Sequence, residues 1–274
     1  MVRIKEKERK RQKKSSTLLV LLVLVIAIAA GSTALLLNFS SPGQQNISNT
    51  PVSTVAAPTA RKALVADSLM EDYPNPELID YIVNVLKRAG YDVDVATCTD
   101  VNLTLYSRLT DYSVIILRIH GGKAVYKAPD GTIHKLNGLF TGVPWSDKYY
   151  ELKVKWLATR AFPYNSTKAY LAVLPKFFEE RLKGRFSSNS VMIVASCYAL
   201  FTRDIADTIA RKGLKVFIGW EGPVTLSHMD LVLKKLIDKV FLENKTWSEA
   251  VKEVNEELGP DPVYNDYLKI LIYK

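Results

Sequence analysis

The chain has 274 residues, 48% of them hydrophobic, and a formal net charge of +9. Its length suits one full-sized domain with appendages. Eight Lys/Arg and two Glu within the first fourteen residues hold +6 of the net charge. A basic excess this local argues against a nucleic-acid surface, and three scattered histidines with two unpaired cysteines argue against a metal cluster.

The basic segment, residues 1–16, is read as a cytoplasmic tail. It meets a run from Leu18 to Leu37, 20 residues without a charge. As a helix that run covers roughly 30 Å, the thickness of the hydrocarbon layer. Residues 17–38 are therefore expected to be a transmembrane signal anchor in the cell membrane. The positive flank stays inside and the remainder lies outside. A cleaved signal peptide is the alternative, with Ala27–Ala30 before Gly31 as a cleavage site. The apolar run resumes at Ala34–Leu37, which favours the uncleaved anchor. Asn38, Asn46, Asn102, Asn165 and Asn244 each begin an N-x-S/T sequon, in keeping with an extracytoplasmic domain. Residues 39–60 are uncharged and rich in Ser, Thr and Pro, the composition of a stalk.

From Arg61 the pattern alternates between strand and helix. Ala63–Ser68 reads as a strand. Asn75-Pro76 opens a helix with Ile79, Ile82, Val83 and Leu86 on one face, closed by Gly90. Tyr91–Thr97 is a second strand, and a short helix near Leu103–Leu109 leads to a third, Ser113–Ile119. Lys123–Leu136 reads as a hairpin about Pro129-Asp130-Gly131. The alternation of Tyr150, Leu152, Val154 and Trp156 with charged residues predicts an extended segment. Ala169–Lys183 is expected to be helical, Ser190–Ser196 a strand, and the residues about Ile205–Ala210 a helix ended by Gly213. A strand at Leu214–Trp220, helices at Leu231–Leu242 and Ser248–Leu258, and a strand at Tyr267–Tyr273 complete the domain, residues 61–274. The fold class is α/β, a doubly wound and mostly parallel sheet with helices on both faces.

Two residues stand where such a sheet places its ligands, outside the carboxyl ends of strands. His120-Gly121-Gly122 follows the run ending at Ile119, and Ser196-Cys197 follows the run ending at Ala195. Cys197 is the candidate nucleophile and His120 its proton carrier. The N–H groups of Gly121, Gly122 and Cys197 are candidate oxyanion donors. A following helix, capped by Thr202, would lower the thiol pKa through its N-terminal field. Cys98, at the end of the second strand, is read as a packed thiol rather than a disulfide partner of Cys197.

Strand–His120-Gly121, strand–Ser196-Cys197 and the later Gly213-Leu-Lys-Val-Phe-Ile-Gly-Trp220 together resemble the caspase-like cysteine peptidases. The stretch from Ala206 to Val224 is most similar to the CHAT, clostripain and separase branch. The resemblance spans roughly residues 61–274. It implies a His120–Cys197 dyad, no metal or other cofactor, and a sheet with the second strand at one edge followed by the first, third and later strands in turn. Separases and clostripain select a basic residue before the cleaved bond with an acidic pocket. Asp67, Glu221 and Asp230, with Trp220 as a wall, are the candidates here. The nucleophile region reads Ala195-Ser-Cys-Tyr-Ala199 rather than Q-A-C-R-G, so cleavage after Asp is not expected.

The expected function is that of a membrane-anchored extracytoplasmic cysteine endopeptidase, its partners being a peptide or protein substrate and, through the N-terminal helix, the membrane. The alternatives are a catalytically inactive binding or adhesion module on the same fold, and another thiol amidase or acyltransferase.

Overall fold

The computed structural model describes residues 61–127 and 131–274. The expected tail, anchor and stalk (residues 1–60) lie outside the described residues, as do Pro129 and Asp130 of the hairpin turn. In chain order the elements are β1 (Arg61–Asp67), α1 (Pro76–Arg88), β2 (Tyr91–Thr97), α2 (Leu103–Tyr106), β3 (Val114–Arg118), β4 (Gly121–Lys127) and β5 (Ile133–Pro144). Then come α3 (Tyr150–Val154), β6 (Ala158–Ala161), β7 (Tyr170–Val173), α4 (Pro175–Arg181), β8 (Val191–Ala195) and α5 (Asp204–Arg211). The chain closes with β9 (Val216–Gly219), α6 (Leu226–Phe241), α7 (Trp247–Leu258) and β10 (Lys269–Ile272).

The main sheet has the order β10-β9-β8-β3-β1-β2, and its strands are parallel except β10, which runs antiparallel to β9. This is the strand order expected above. Every residue of β3 and β8 is buried, because helices cover both faces. Alternate residues feed two cores. Leu64, Ile115, Leu117, Met192, Val194 and Phe217 pack with Tyr106, Phe177, Phe178, Ile205 and Ile209 from α2, α4 and α5. Ala63, Val65, Ile116, Ile193 and Ile218 pack with residues of α1, α6 and α7. The helix ends follow local chemistry. Asn75 accepts from the Leu78 N–H at 3.2 Å with Pro76 in the first turn, and Thr246 and Glu249 form a reciprocal capping box on α7.

A second, antiparallel sheet of order β4-β5-β7-β6 grows from the end of β3. It contains the expected hairpin. It also corrects two expectations. Residues 150–154 are helical, not extended: Tyr150 and Val154 are solvent-exposed and only Leu152 reaches the core, so the alternation does not bury the face a strand would need. Residues 170–173 are a fully buried strand rather than the start of a helix. Pro175 begins the helix there and holds Leu174 extended, at φ −109° and ψ 166°.

The carboxyl ends of β1 and β3 are joined through one buried guanidinium. Arg118 Nη1 donates to both oxygens of Asp67 at 3.1 and 3.0 Å, while its Nε and Nη2 donate to Asp230 at 2.8 and 2.9 Å. Asn75, the cap of α1, donates to the same Asp230 carboxylate at 2.9 Å. Arg118 and Asp67 are fully buried. Removing one partner of such a cluster leaves uncompensated charge in the interior. Arg118→Ala is therefore expected to cost about 3–5 kcal/mol in urea unfolding, and Arg118→Lys to recover only part of that, since an ammonium cannot form both paired contacts.

Candidate active site

His120 and Cys197 occupy equivalent positions on neighbouring strands. The last register pair of β3 and β8 is Arg118 with Ala195, and each candidate lies two residues further on. The ladder continues past that pair, with the Ile119 N–H donating to the Ala195 carbonyl at 3.1 Å. Parallel neighbours are spaced about 4.8 Å apart. Gly121 keeps the strands together beyond their ends. A Cβ there would lie 2.0 Å from the Cys197 carbonyl oxygen and 2.7 Å from Ser196 Oγ, so only glycine lets the two segments touch.

The chain turns sharply at the thiol. Tyr198, directly after Cys197, has φ +59°, a left-handed conformation uncommon for a bulky residue. Its N–H donates to the Gly222 carbonyl at 2.8 Å, and the Leu200 N–H donates to the Trp220 carbonyl at 2.8 Å. Buried Asn137, on β5, braces the turn from the other side. Its Nδ2 donates to the Ala199 carbonyl at 2.7 Å, and its Oδ1 accepts from Thr202 Oγ1 at 2.8 Å. Thr202 thus serves Asn137 and does not cap α5, whose first residue is Asp204.

Cys197 Sγ rests on the backbone of Val224. It accepts from the Val224 N–H at 3.4 Å and faces the Val224 carbonyl at 3.5 Å. Burial pushes the thiol pKa up and nearby Asp261 adds to that; the Val224 N–H opposes the rise without reversing it. This corrects the expectation of a helix-lowered pKa: burial of the thiol is the dominant influence on it.

His120 sits among aromatic rings, its centroid 5.9 Å from Tyr73, 5.8 Å from Phe140 and 6.4 Å from Tyr170. Its Nε2 is buried and has no hydrogen-bond partner. Burial holds the imidazole below its usual pKa, against the opposing pull of Asp72. Asp72 is itself fixed, accepting from Tyr170 at 2.7 Å and Lys168 at 2.8 Å. The pair at rest is therefore a neutral imidazole and a neutral thiol. They are not hydrogen-bonded to each other, since Sγ is engaged by Val224.

The proposed oxyanion donors separate. The Phe140 N–H donates to the His120 carbonyl at 3.0 Å, and β4 and β5 pair Gly121 with Leu139 and Gly122 with Gly138. Bonded pairs alternate along an antiparallel ladder, so the Gly122 N–H turns into β5 while the Gly121 N–H turns away from it. Gly121 and Cys197 remain candidates; Gly122 is spent on the sheet.

His120, Gly121 and Cys197 line one cavity of about 660 Å³. The acidic pocket expected from sequence is not there. Asp67 and Asp230 are consumed by Arg118, Trp220 is 1% exposed and part of the core, and Glu221 is exposed to solvent outside the cavity. The walls instead come from residues that sequence reasoning passed over: Tyr73, Lys123, Phe162, Tyr164, Tyr198 and Tyr264. Asp261, in the C-terminal loop, supports the site from outside the cavity. Its Oδ2 accepts from the Thr225 N–H and hydroxyl at 2.7 and 2.6 Å, and its Oδ1 accepts from Val263 and Tyr264 N–H groups at 2.9 Å each. It therefore sets both the loop beneath Cys197 and the Tyr264 wall. The signal was present in Gly259-Pro-Asp-Pro262, where an Asp between prolines suits a loop-organising carboxylate.

Cys98 and Cys197 are both free thiols, on strand ends three strands apart. Among the described residues no group of His, Cys, Asp or Glu side chains is placed to hold a metal ion. No protein-family model matches the chain, and no curated protein is significantly similar to it.

Two outcomes follow. The rate of Cys197 alkylation by iodoacetamide should rise with pH through an inflection above about 8.5, the ordinary thiol value, because burial has raised the pKa. An inflection below that value would contradict the neutral pair. Gly121→Ala should displace the 196–198 turn, changing the alkylation rate of Cys197 in the folded protein while leaving that of Cys98 unchanged.

Proposed function

We propose that the protein is a cysteine hydrolase acting on peptide bonds, with Cys197 as nucleophile and His120 as general base and acid. The observation that supports it most is the placement of His120 and Cys197 at register-equivalent strand ends on one cavity, with Gly121 holding the two segments in contact. The six-stranded order β2-β1-β3-β8-β9-β10 is in keeping with a caspase-like domain.

The reaction starts from a neutral pair. As substrate enters, Sγ leaves the Val224 backbone and attacks the scissile carbonyl carbon while His120 accepts the thiol proton. The developing oxyanion takes hydrogen bonds from the Gly121 and Cys197 N–H groups. Collapse of the adduct breaks the C–N bond, and the imidazolium gives its proton to the departing amine. Water then attacks the thioester. His120 accepts the water proton and returns it to sulfur as the acid leaves. A base of lowered pKa remains unprotonated at neutral pH, so activity should persist as pH falls to about 6.5 and be lost below it, as His120 becomes charged.

A non-catalytic binding module is the second reading. It draws on the raised pKa of Cys197 and its contact with Val224, both of which quieten the thiol. Substitution separates the two. Cys197→Ala and His120→Ala should each lower kcat/KM for peptide hydrolysis on the order of 10³-fold or more, and the double variant should lose little further, because nucleophile and base act as a unit. A purified protein without peptidase activity under reducing conditions favours the binding module.

The domain is proposed to lie outside the cell membrane, held by residues 17–38. The basic residues preceding that apolar run support this orientation. Among the described residues no helix is long and apolar enough to cross a membrane, and the run itself lies outside them. Asn165 and Asn244 are exposed at turns with left-handed backbone and are open to glycosylation. Protease added to intact cells should digest the domain; protection until lysis would overturn the orientation.

A further inference from the structure

The cavity beside Cys197 also carries information about what it accepts. Its floor is apolar and buried, formed by Leu69, Val224 and Met229. Val224 belongs to both features, since its backbone holds the sulfur and its side chain lines the cavity. The floor thus begins at the attacking atom. The rim is aromatic: Tyr73, Tyr164 and Tyr264 line it and are 46%, 89% and 46% exposed. Exposed rings gathered around an apolar hollow are the usual marks of a ligand site.

Charge points the same way. Among the described residues no carboxylate lines the cavity, and Lys123 is the one lining residue with a permanently charged side chain. Its ammonium lies 4.6 Å from the centroid of Tyr198 and 5.3 Å from that of Phe201, held by the ring faces. A guanidinium or ammonium entering here would lose water, find no carboxylate among the described lining residues to pair with and approach a like charge. A large apolar side chain would be dehydrated against the floor with no such cost.

We infer that the cavity is a specificity pocket for a bulky apolar or aromatic side chain next to the attacked bond, and that it rejects Lys and Arg. The inference rests on the reading of Cys197 as the attacking group. It replaces the basic-residue preference expected from sequence, because the acids behind that expectation are absent from the cavity. Hydrophobic pockets discriminate by roughly 10–200-fold for a single methylene, so a preference of at least about tenfold for Phe or Leu over Arg is expected.

The test uses the full-length protein and two readouts. The first is kcat/KM on acetyl-aminoacyl coumarin amides bearing Phe, Leu, Arg or Asp. The second is the rate at which iodoacetamide labels Cys197 with N-acetyl-phenylalaninamide or N-acetyl-argininamide present. Faster turnover of Phe and Leu together with selective protection by the Phe amide supports the pocket and the peptidase reading. Selective protection without turnover supports the pocket and rejects peptide hydrolysis. Turnover favouring Arg or Asp overturns the pocket and leaves the peptidase reading standing. No turnover and equal protection by the two amides overturns both. Lys123→Glu, a change at an exposed wall position, should raise the Arg-to-Phe ratio several-fold; an unchanged ratio removes Lys123 from the selection.

Discussion

The Arg118 guanidinium is the interaction on which the site depends. It reaches Asp67 at the end of β1 and Asp230 near the start of α6, and Asp230 in turn receives the cap residue of α1. Four elements therefore meet at one planar cation. His120 lies two residues beyond it. Buried ion clusters are weak stabilisers compared with apolar packing, but they tolerate little displacement, because the planar guanidinium fixes the directions in which its donors point. The cluster holds the loop that begins at Ser68, and that loop brings Leu69 and Tyr73 to the cavity.

The site itself joins two kinds of scaffold. The parallel sheet supplies the adjacency of His120 and Cys197. The antiparallel sheet braces the turn after the thiol through Asn137 and contributes Tyr170, whose ring faces His120 while its hydroxyl binds Asp72. The C-terminal loop adds the third support, since Asp261 and Asp266 both bond to backbone N–H groups of residues 222–225. The left-handed backbone at Tyr198 is held by these surroundings, in keeping with strain concentrating where a side chain must be presented.

The parallel sheet was legible because its inner strands β1, β3, β8 and β9 are built on short, largely apolar runs that end at polar residues or glycine. The approach of His120 to Cys197 followed from that pattern, since both sit immediately past such a run. The second sheet was largely hidden. Two of its strands are short, β6 and β7 having four residues each, and a third of β5 is solvent-exposed. Residues 150–156 alternate in the right period for a strand, yet Tyr150, Val154 and Trp156 face water and only Leu152 packs against the core. The four pocket residues Asp67, Trp220, Glu221 and Asp230 were proposed from nearness to strand ends. Nearness did not reveal that Arg118, a charged residue inside a buried strand, would claim two of them. Read alone, that arginine in Val-Ile-Ile-Leu-Arg-Ile called for buried carboxylates.

The antiparallel sheet lies in the chain between the two residues of the pair, and this has a consequence in time. During synthesis at about 5–20 residues per second, Cys197 follows His120 by roughly 4–15 s. Throughout that interval β3 has no neighbour on its β8 side, while the hairpin of β4 and β5 needs only local contacts and can already close. The aromatic surroundings of the imidazole are thus assembled first and the sulfur arrives last, slotting beside Gly121. Until β8 has been made, the nascent chain therefore carries an imidazole in its aromatic setting with no thiol beside it.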